Sequence, residues 1–537
     1  TRRLAPTLVN VVDLKLFETT NSSTLSQGLN FQPGVRVETN CQNCGFQQVR
    51  INGLDGPYTQ ILIDSRPVFS ALSGVYGLEQ IPASMIERVE VMRGGGSALF
   101  GSSAIAGTIN IITKEPLRNS GQLSHTLTAL GGGSSFDNNT SLNASLVTDD
   151  HRAGLYIFGQ NRHRSGYDYD GDGFTELPKL KNQTVGFRSY LKTSTYSKLT
   201  FEYHHMQEFR RGGDMLDRPP HEAHIAEQLQ HSIDGGSLKF DYFSPDEKNR
   251  LSIFASAANT DRDSYYGPGN DPLKAYGKTT DLTAMGGAQY VHTFDKCFFM
   301  PSDLTAGLEY NRDRLKDNMW GYDRHTDQTV NIYSAFLQNE WKNDRWGILI
   351  GGRLDKHNLI DHIIFSPRAN LRFNPTQNIN LRLSYSSGFR APQAFDEDLH
   401  VENVGGNVAM VELAKDLKEE RSQSLSASAD IYHRFGAFQI NFLVEGFYTK
   451  LSDVFALTDG EVKDGILTRT RYNAPGARVM GLTLEGKMAY LNKFQIQAGA
   501  TLQQSHYSEP HVWNKEAPAV KKMMRTPNTY GYFTATY

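Results

Sequence analysis

The sequence predicts a transmembrane antiparallel β-barrel over residues 117–537, preceded by a small α+β domain over residues 1–116. Three observations carry this. From Gly121 onward strand-like segments recur between turn and loop clusters, about eighteen by count. No apolar run reaches the roughly 18 residues of a spanning helix, whereas a membrane barrel needs only segments of about ten alternating residues. The texture of the chain changes at Lys114-Glu115-Pro116, where mixed short strands and helix-like patches give way to regular alternation.

Within the first domain, Val89 and Val91 alternate with Arg88, Glu90 and Met92 as in a strand. Gly94, Gly95 and Gly96 then turn the backbone, and Thr108 to Thr113 reads as another strand. Glycines after a strand also occur at nucleotide sites, but the spacing is wrong here. A dinucleotide fingerprint needs glycine where Leu99 stands, and a phosphate loop needs a Gly-Lys-Ser/Thr ending that is absent.

In the second region Leu381, Leu383 and Tyr385 alternate with Arg382, Ser384 and Ser386. Phe438, Ile440, Phe442 and Val444 alternate with Gln439, Asn441, Leu443 and Glu445. One face of each segment suits lipid and the other a polar lumen. About eighteen strands exceed what one soluble sandwich holds, while large outer-membrane transporters have about 22 around a plugged lumen. Tyr537 closes an ordinary strand, so about four further strands are expected beyond it.

Composition narrows the partners. The 537 residues carry a net charge of -3, and this gives no basic face for nucleic acid. The three cysteines exclude a disulfide-dense scaffold. Thr1, Arg2 and Arg3 run into a polar segment rather than an apolar signal region, so a mature or trimmed start is expected.

Three blocks in order carry a family resemblance: Ser26 to Val35 (SQGLNFQPGV), Arg50 to Asp64 (RINGLDGPYTQILID) and Glu87 to Lys114 (ERVEVMRGGGSALFGSSAIAGTINIITK). They resemble the plug of TonB-dependent receptors: a short helix ending at a Pro-Gly turn, then paired plug strands, then the closing plug segment. In the barrel, Phe389-Arg390-Ala391-Pro392 resembles the FRAP or YRAP box of many such receptors, haem receptors included. The resemblance implies a plug inside the lumen of a 22-stranded barrel in the outer membrane. It implies ligand binding at the outer face between barrel loops and plug apices, and TonB as the partner that pulls on the plug. The family's energy-coupling box precedes the plug; no residue here is assigned to it, so the start is expected to be incomplete.

Two plug segments are expected to form the apices, 40–48 (NCQNCGFQQ) and 67–80 (PVFSALSGVYGLEQ). The candidate contacts are Asn43, Phe46, Gln47, Tyr58, Phe69, Ser70, Leu72, Val75 and Tyr76 in the plug, with Phe389, Arg390 and His400 in the barrel. Few charges and many small or aromatic residues suit a large, mostly uncharged ligand better than an anionic catecholate, which calls for a cationic cluster. The second segment also resembles the apical loop of cobalamin receptors, so cobalamin is the preferred cargo. Haem is the competitor, since haem iron is commonly held by His and His400 follows the FRAP box. The plug has no histidine, which leaves Tyr58 or Tyr76 as a substitute ligand. A surface lipoprotein that captures ligand and the lipid of the outer membrane complete the expected partners.

Asp168, Asp170, Asp172 and Glu176 form D-x-D-G-D-G-x-x-E, whose carboxylates offer the hard oxygens that Ca²⁺ prefers. Position twelve is Lys179, so the bidentate glutamate of an EF-hand-like loop is absent, and a solvated acidic loop is the equal alternative. No cofactor is required; calcium would be structural. His204, His205, His221, His224 and His231 cluster in one region, with His221 and His224 at helical spacing for a metal, though a solvated loop is the plainer reading. Cys41 and Cys44 fit a local disulfide in an oxidising compartment better than a zinc site, which would need two more ligands. Neither a nucleophile elbow nor an H-E-x-x-H helix is present, so an enzyme is not expected. A passive porin and a surface adhesin barrel are the alternatives of a different class.

Overall fold

Residues 5–39, 45, 47–66, 81–96, 100–101, 104–268, 275–404, 407–458, 460–463, 466–491, 493–512 and 518–537 are described in this computed structural model. The first domain runs β1 (Val9–Asp13), α1 (Leu14–Thr19), α2 (Leu25–Leu29), β2 (Val35–Thr39), β3 (Gln47–Ile51), β4 (Thr59–Ile63), β5 (Ile86–Arg93) and β6 (Gly107–Thr113). Asp13 caps α1, its carboxylate accepting from the Leu16 amide at 3.0 Å.

Four strands form one sheet in the order β1-β5-β6-β4, with β5 and β6 antiparallel and β4 parallel to β6. Val89, Val91, Ile109 and Ile111 from the two expected strands are buried in its core. The chain leaves β5 through Gly94, at φ +81. It enters β6 at Gly107, where a Cβ would stand 2.2 Å from the Met92 carbonyl oxygen, so only glycine lets the two strands close.

The expectation that residues 50–64 hold two strands paired with each other is corrected. β3 pairs with β2 in a separate two-stranded sheet, whereas β4 belongs to the four-stranded one. Asn52 and Gly53, both at positive φ, and the 3₁₀ turn Gly56–Tyr58 swing the chain from one sheet into the other.

The second region is a single sheet of 22 strands curled into a barrel around the first domain. Eighteen of these strands have eight residues or more, in line with the expected tally; the other four, of three to seven residues, decorate the connections at one end. Registers link every neighbouring long strand from Ser120–Leu130 to Thr529–Thr536. The ends of the barrel differ. At one, strands join through tight turns such as 194–197, 297–300 and 376–379; at the other, connections extend over 165–178, 391–419 and 512–528. Short turns mark the periplasmic end of an outer-membrane barrel and long loops its outer end.

Alternation sorts the side chains. On Phe438–Leu457, Ile440 and Phe442 are exposed to the outside, while Leu443 and Glu445 are buried inside. Ring pairs Trp346–Phe373, Phe438–Tyr490 and Phe299–Trp341, with centroids 4.3, 4.8 and 5.6 Å apart, lie at the short-turn end as one interfacial girdle.

The first domain fills the lumen and is tied to the wall by polar contacts. Arg93 in β5 meets Glu445 at 2.6 Å, with both side chains at most 2% exposed. Asp64 pairs with Arg188 at 2.6 Å, and Arg188 also reaches Glu202 at 2.6 Å. The Tyr156 hydroxyl donates to the Ser84 carbonyl at 2.6 Å, and the Gly34 amide donates to Thr501. These polar ties flank a shared apolar contact, since Tyr156, Phe158, Phe447, Leu451 and Val454 of the wall belong to the same buried cluster as the plug core.

Candidate functional site

At the outer end, a cavity of about 430 Å³ opens between the plug and one side of the barrel. The plug supplies Gln48, Asp55, Pro57 and Tyr58; the wall supplies Arg390, Phe455, Arg469, Arg471, Tyr507 and His511. Tyr58 closes the 3₁₀ turn that leads into β4, and Arg390 is the last residue of strand Ile379–Arg390. Two residues named from the sequence therefore meet in one place.

Their charges are balanced locally. Arg390 pairs with Glu397 at 2.5 Å and lies 3.6 Å from Glu420, while Arg471 meets Asp398 at 2.6 Å and Glu397 at 3.3 Å. The Tyr58 hydroxyl donates to Glu420 at 2.7 Å. Burial, reinforced by Glu420, raises the Tyr58 hydroxyl well above its ordinary range, so it stays a donor. The Arg390 guanidinium sits 4.1 Å from the Phe395 ring centroid and 5.2 Å from that of Phe455. Such a wall offers aromatic faces and paired, pre-oriented donors and acceptors.

The other expected contacts separate. Asn43, Phe46, Phe69, Ser70, Leu72, Val75 and Tyr76, and the proposed Cys41–Cys44 disulfide, lie outside the described residues. Gln47 belongs to β3 beside the lining residue Gln48. Phe389 is not a cavity residue: alternation turns it to the face opposite Arg390, where it packs with Ile360, Ile364 and Ala391. His400 is not one either. It sits beside Glu227 at 3.4 Å, edge-on to Tyr266 at 5.1 Å, in a loop cluster away from the cavity.

Burial, with Arg262 and Arg324 nearby, pushes the His400 imidazole down to about 4. Because this is below the unfolded value of 6.5, the unfolded loop binds the proton first and stability falls as pH drops from 6.5 towards 4. Acidification over that window should loosen loop 391–413 by up to about 3 kcal/mol through this group. Hydrogen exchange in the loop should show that pH dependence in the native chain and lose it in His400→Gln.

Asp168, Asp170 and Glu176 bring a carboxylate oxygen each within 4.8 Å of one another on the outer loop 165–178. Asp172 stands apart, accepting from the Phe174 amide at 2.8 Å. The three convergent carboxylates already accept backbone amides: Asp168 those of Gly171 and Gly173, at 2.7 and 2.9 Å, Asp170 that of Asp172 at 3.3 Å, and Glu176 that of Tyr169. Among the described residues, none of the five histidines belongs to a cluster that could hold a metal. His221 bonds Tyr276, His224 bonds Asp214, His205 bonds Asp234 and His231 faces Glu208. The helical spacing expected for His221 and His224 fails because 220–222 is a single 3₁₀ turn that ends before His224.

Sequence reasoning missed Glu420, Phe455, Arg471, Tyr507 and His511. The alternating pattern marks all five as strand residues, and no local signal in it says that four of them line one cavity and that Glu420 braces Tyr58 and Arg390 behind it.

Comparison with known proteins gives two family matches: a TonB-dependent receptor plug domain over residues 1–108 and a TonB-dependent receptor-like β-barrel over residues 106–537. The vitamin B12 transporter BtuB of Vibrio vulnificus is 24% identical over 402 residues, covering 72% of this chain and 60% of the relative. The iron-regulated outer membrane virulence protein of Vibrio cholerae is 26% identical over 409 residues, covering 72% and 58%. The chain thus spans about three fifths of the length of these curated relatives. The siderophore receptor PirA of Acinetobacter baumannii has the same fold, with a TM-score of 0.79 at 18% identity, covering 95% of this chain and 82% of that one.

Proposed function

We propose, from the premise that this chain belongs to the TonB-dependent receptors of the Gram-negative outer membrane, that it imports a scarce, bulky nutrient through energy supplied by TonB. The observation that carries the reading is the outer cavity, formed jointly by Tyr58 on the plug and Arg390 on the wall. A ligand seated there touches both bodies at once, so a pull on the plug changes the ligand's surroundings directly.

Cobalamin is the cargo we favour. Arg390 and Arg471 are each matched by carboxylates, and most of the remaining surface is aliphatic or aromatic, which suits a large ligand of little net charge. The relative named a vitamin B12 transporter supports the same choice. Haem or another metal chelate is the second reading, favoured by Tyr507 and His511 on the cavity wall and by the iron-regulated relative.

Separate titrations of the purified protein with cyanocobalamin, haemin and a ferric siderophore distinguish these cargoes. Saturable binding of cyanocobalamin is expected; binding of haemin or the siderophore alone would overturn the choice of cobalamin. Uptake by cells should also stop when TonB is removed. A passive pore or an adhesin would be indifferent to that removal.

A further inference from the structure

Outside the lumen, cross-strand registers bring four basic side chains into one row. Lys450 stands opposite Arg478, Arg478 opposite His506, and His506 opposite Lys522. Neighbouring strands are about 4.8 Å apart, so the row crosses four strands within roughly 15 Å. Its side chains point outward, because the intervening residues Leu451, Val479 and Ser505 are buried on the lumen side. Lys450, Arg478 and Lys522 are exposed. Among the described residues, none of the four has an ion pair or hydrogen bond.

The height of the row matters as much as its charge. On strand Phe438–Leu457 the outward residues from Phe438 to Tyr448 are aromatic or apolar, with Phe438 in the periplasmic girdle. Ten residues at the usual rise and tilt climb about 26 Å, the height of a barrel's apolar band. Lys450 is the next outward residue. The row therefore lies one outward position above Tyr448 and two above Leu482 and Leu502, all three exposed, with Met480 and Gln504 between, at the level where outer-leaflet headgroups begin. Three cations in one row, without an ion pair among the described residues, repel one another unless anions share the site, and guanidinium and ammonium groups both recognise phosphate.

We propose that this row is a docking rail for a phosphorylated glycolipid of the outer leaflet, with its phosphates on Lys450, Arg478 and Lys522 and its acyl chains along Tyr448, Leu482 and Leu502. The rail is separate from the cargo cavity, and its occupancy does not depend on which nutrient is carried.

The test uses the purified full chain, incubated in detergent with bisphosphorylated lipid A, with the dephosphorylated form of lipid A, or with phosphatidylethanolamine. Native mass spectrometry counts the retained lipid. Native protein should retain the bisphosphorylated form at least tenfold better than the other two. The triple variant K450Q/R478Q/K522Q should lose roughly a hundredfold in retention, at about fivefold per charge. Heat-modifiable mobility on electrophoresis establishes that the variant barrel is folded. K192Q, an exposed charge at the short-turn end, should retain lipid as the native chain does. Equal retention by the triple variant, equal loss in K192Q, or retention indifferent to the phosphates would each overturn the proposal.

Discussion

Glu445→Ala should weaken the seating of the plug by about 3–5 kcal/mol, the cost of leaving a buried guanidinium without its partner. Arg93 and Glu445 meet at 2.6 Å with almost no solvent access, one on β5 of the plug and the other on the barrel wall. The Arg93 guanidinium also donates to the Pro33 carbonyl at 2.5 Å, which holds the Pro-Gly turn against the same point of the wall. Once Glu445 is gone, that cation stays desolvated, with the Pro33 carbonyl as its hydrogen-bond acceptor among the described residues. Replacing both partners by apolar side chains of similar volume, Arg93→Met with Glu445→Leu, removes the unpaired charge and should recover most of the loss. Limited proteolysis of the plug and single-channel conductance report the two outcomes. The single variant should show faster cleavage and transient openings, and the double variant little of either. Equal loss in both variants would mean that packing rather than charge seats the plug at this point.

How much of this was legible in the sequence depends on distance along the chain. Strands β5 and β6 and the turn at Gly94 were readable because period-two alternation and a glycine turn are local signals. The eighteen long strands were readable for the same reason, since each needs only its own alternation. β1 was not, being five residues long and held by pairing with β5, some 80 residues away. The division of β3 and β4 between two sheets was likewise hidden, because two short apolar runs look alike until their partners are known. In the site, Tyr58 and Arg390 carried motif signals, while Glu420 and Arg471 became part of it only through the register of distant strands. Phe389 shows the converse. It stands in the same four-residue box as Arg390, yet a strand sends consecutive side chains to opposite faces, so a motif does not confer one role on all its members.

Arg390→Ala should abolish high-affinity cargo binding, by at least a hundredfold, while leaving the barrel assembled. The guanidinium joins the site in three ways. It pairs with Glu397 at 2.5 Å, it lies 3.6 Å from Glu420, which also accepts from Tyr58, and it lies against the rings of Phe395 and Phe455. Its loss leaves Glu397 with Arg471 alone, and leaves Glu420 to the Tyr58 hydroxyl and the Phe455 amide. Each carboxylate then carries uncompensated charge, and the short helix Asp396–Leu399 loses its tie to the wall. Arg390→Lys keeps the charge but cannot hold a planar stack and a paired carboxylate together, so it should recover only a small part of the affinity. Glu397→Gln separates the two effects, since it leaves Arg390 stacked on its rings and removes only the charge partner. If cargo contacts the guanidinium, Glu397→Gln should bind far better than Arg390→Ala; if Arg390 serves only to anchor the loop, the two should bind equally poorly. Titration with the cargo identified by the binding screen, alongside melting of the barrel, decides between contact and anchorage.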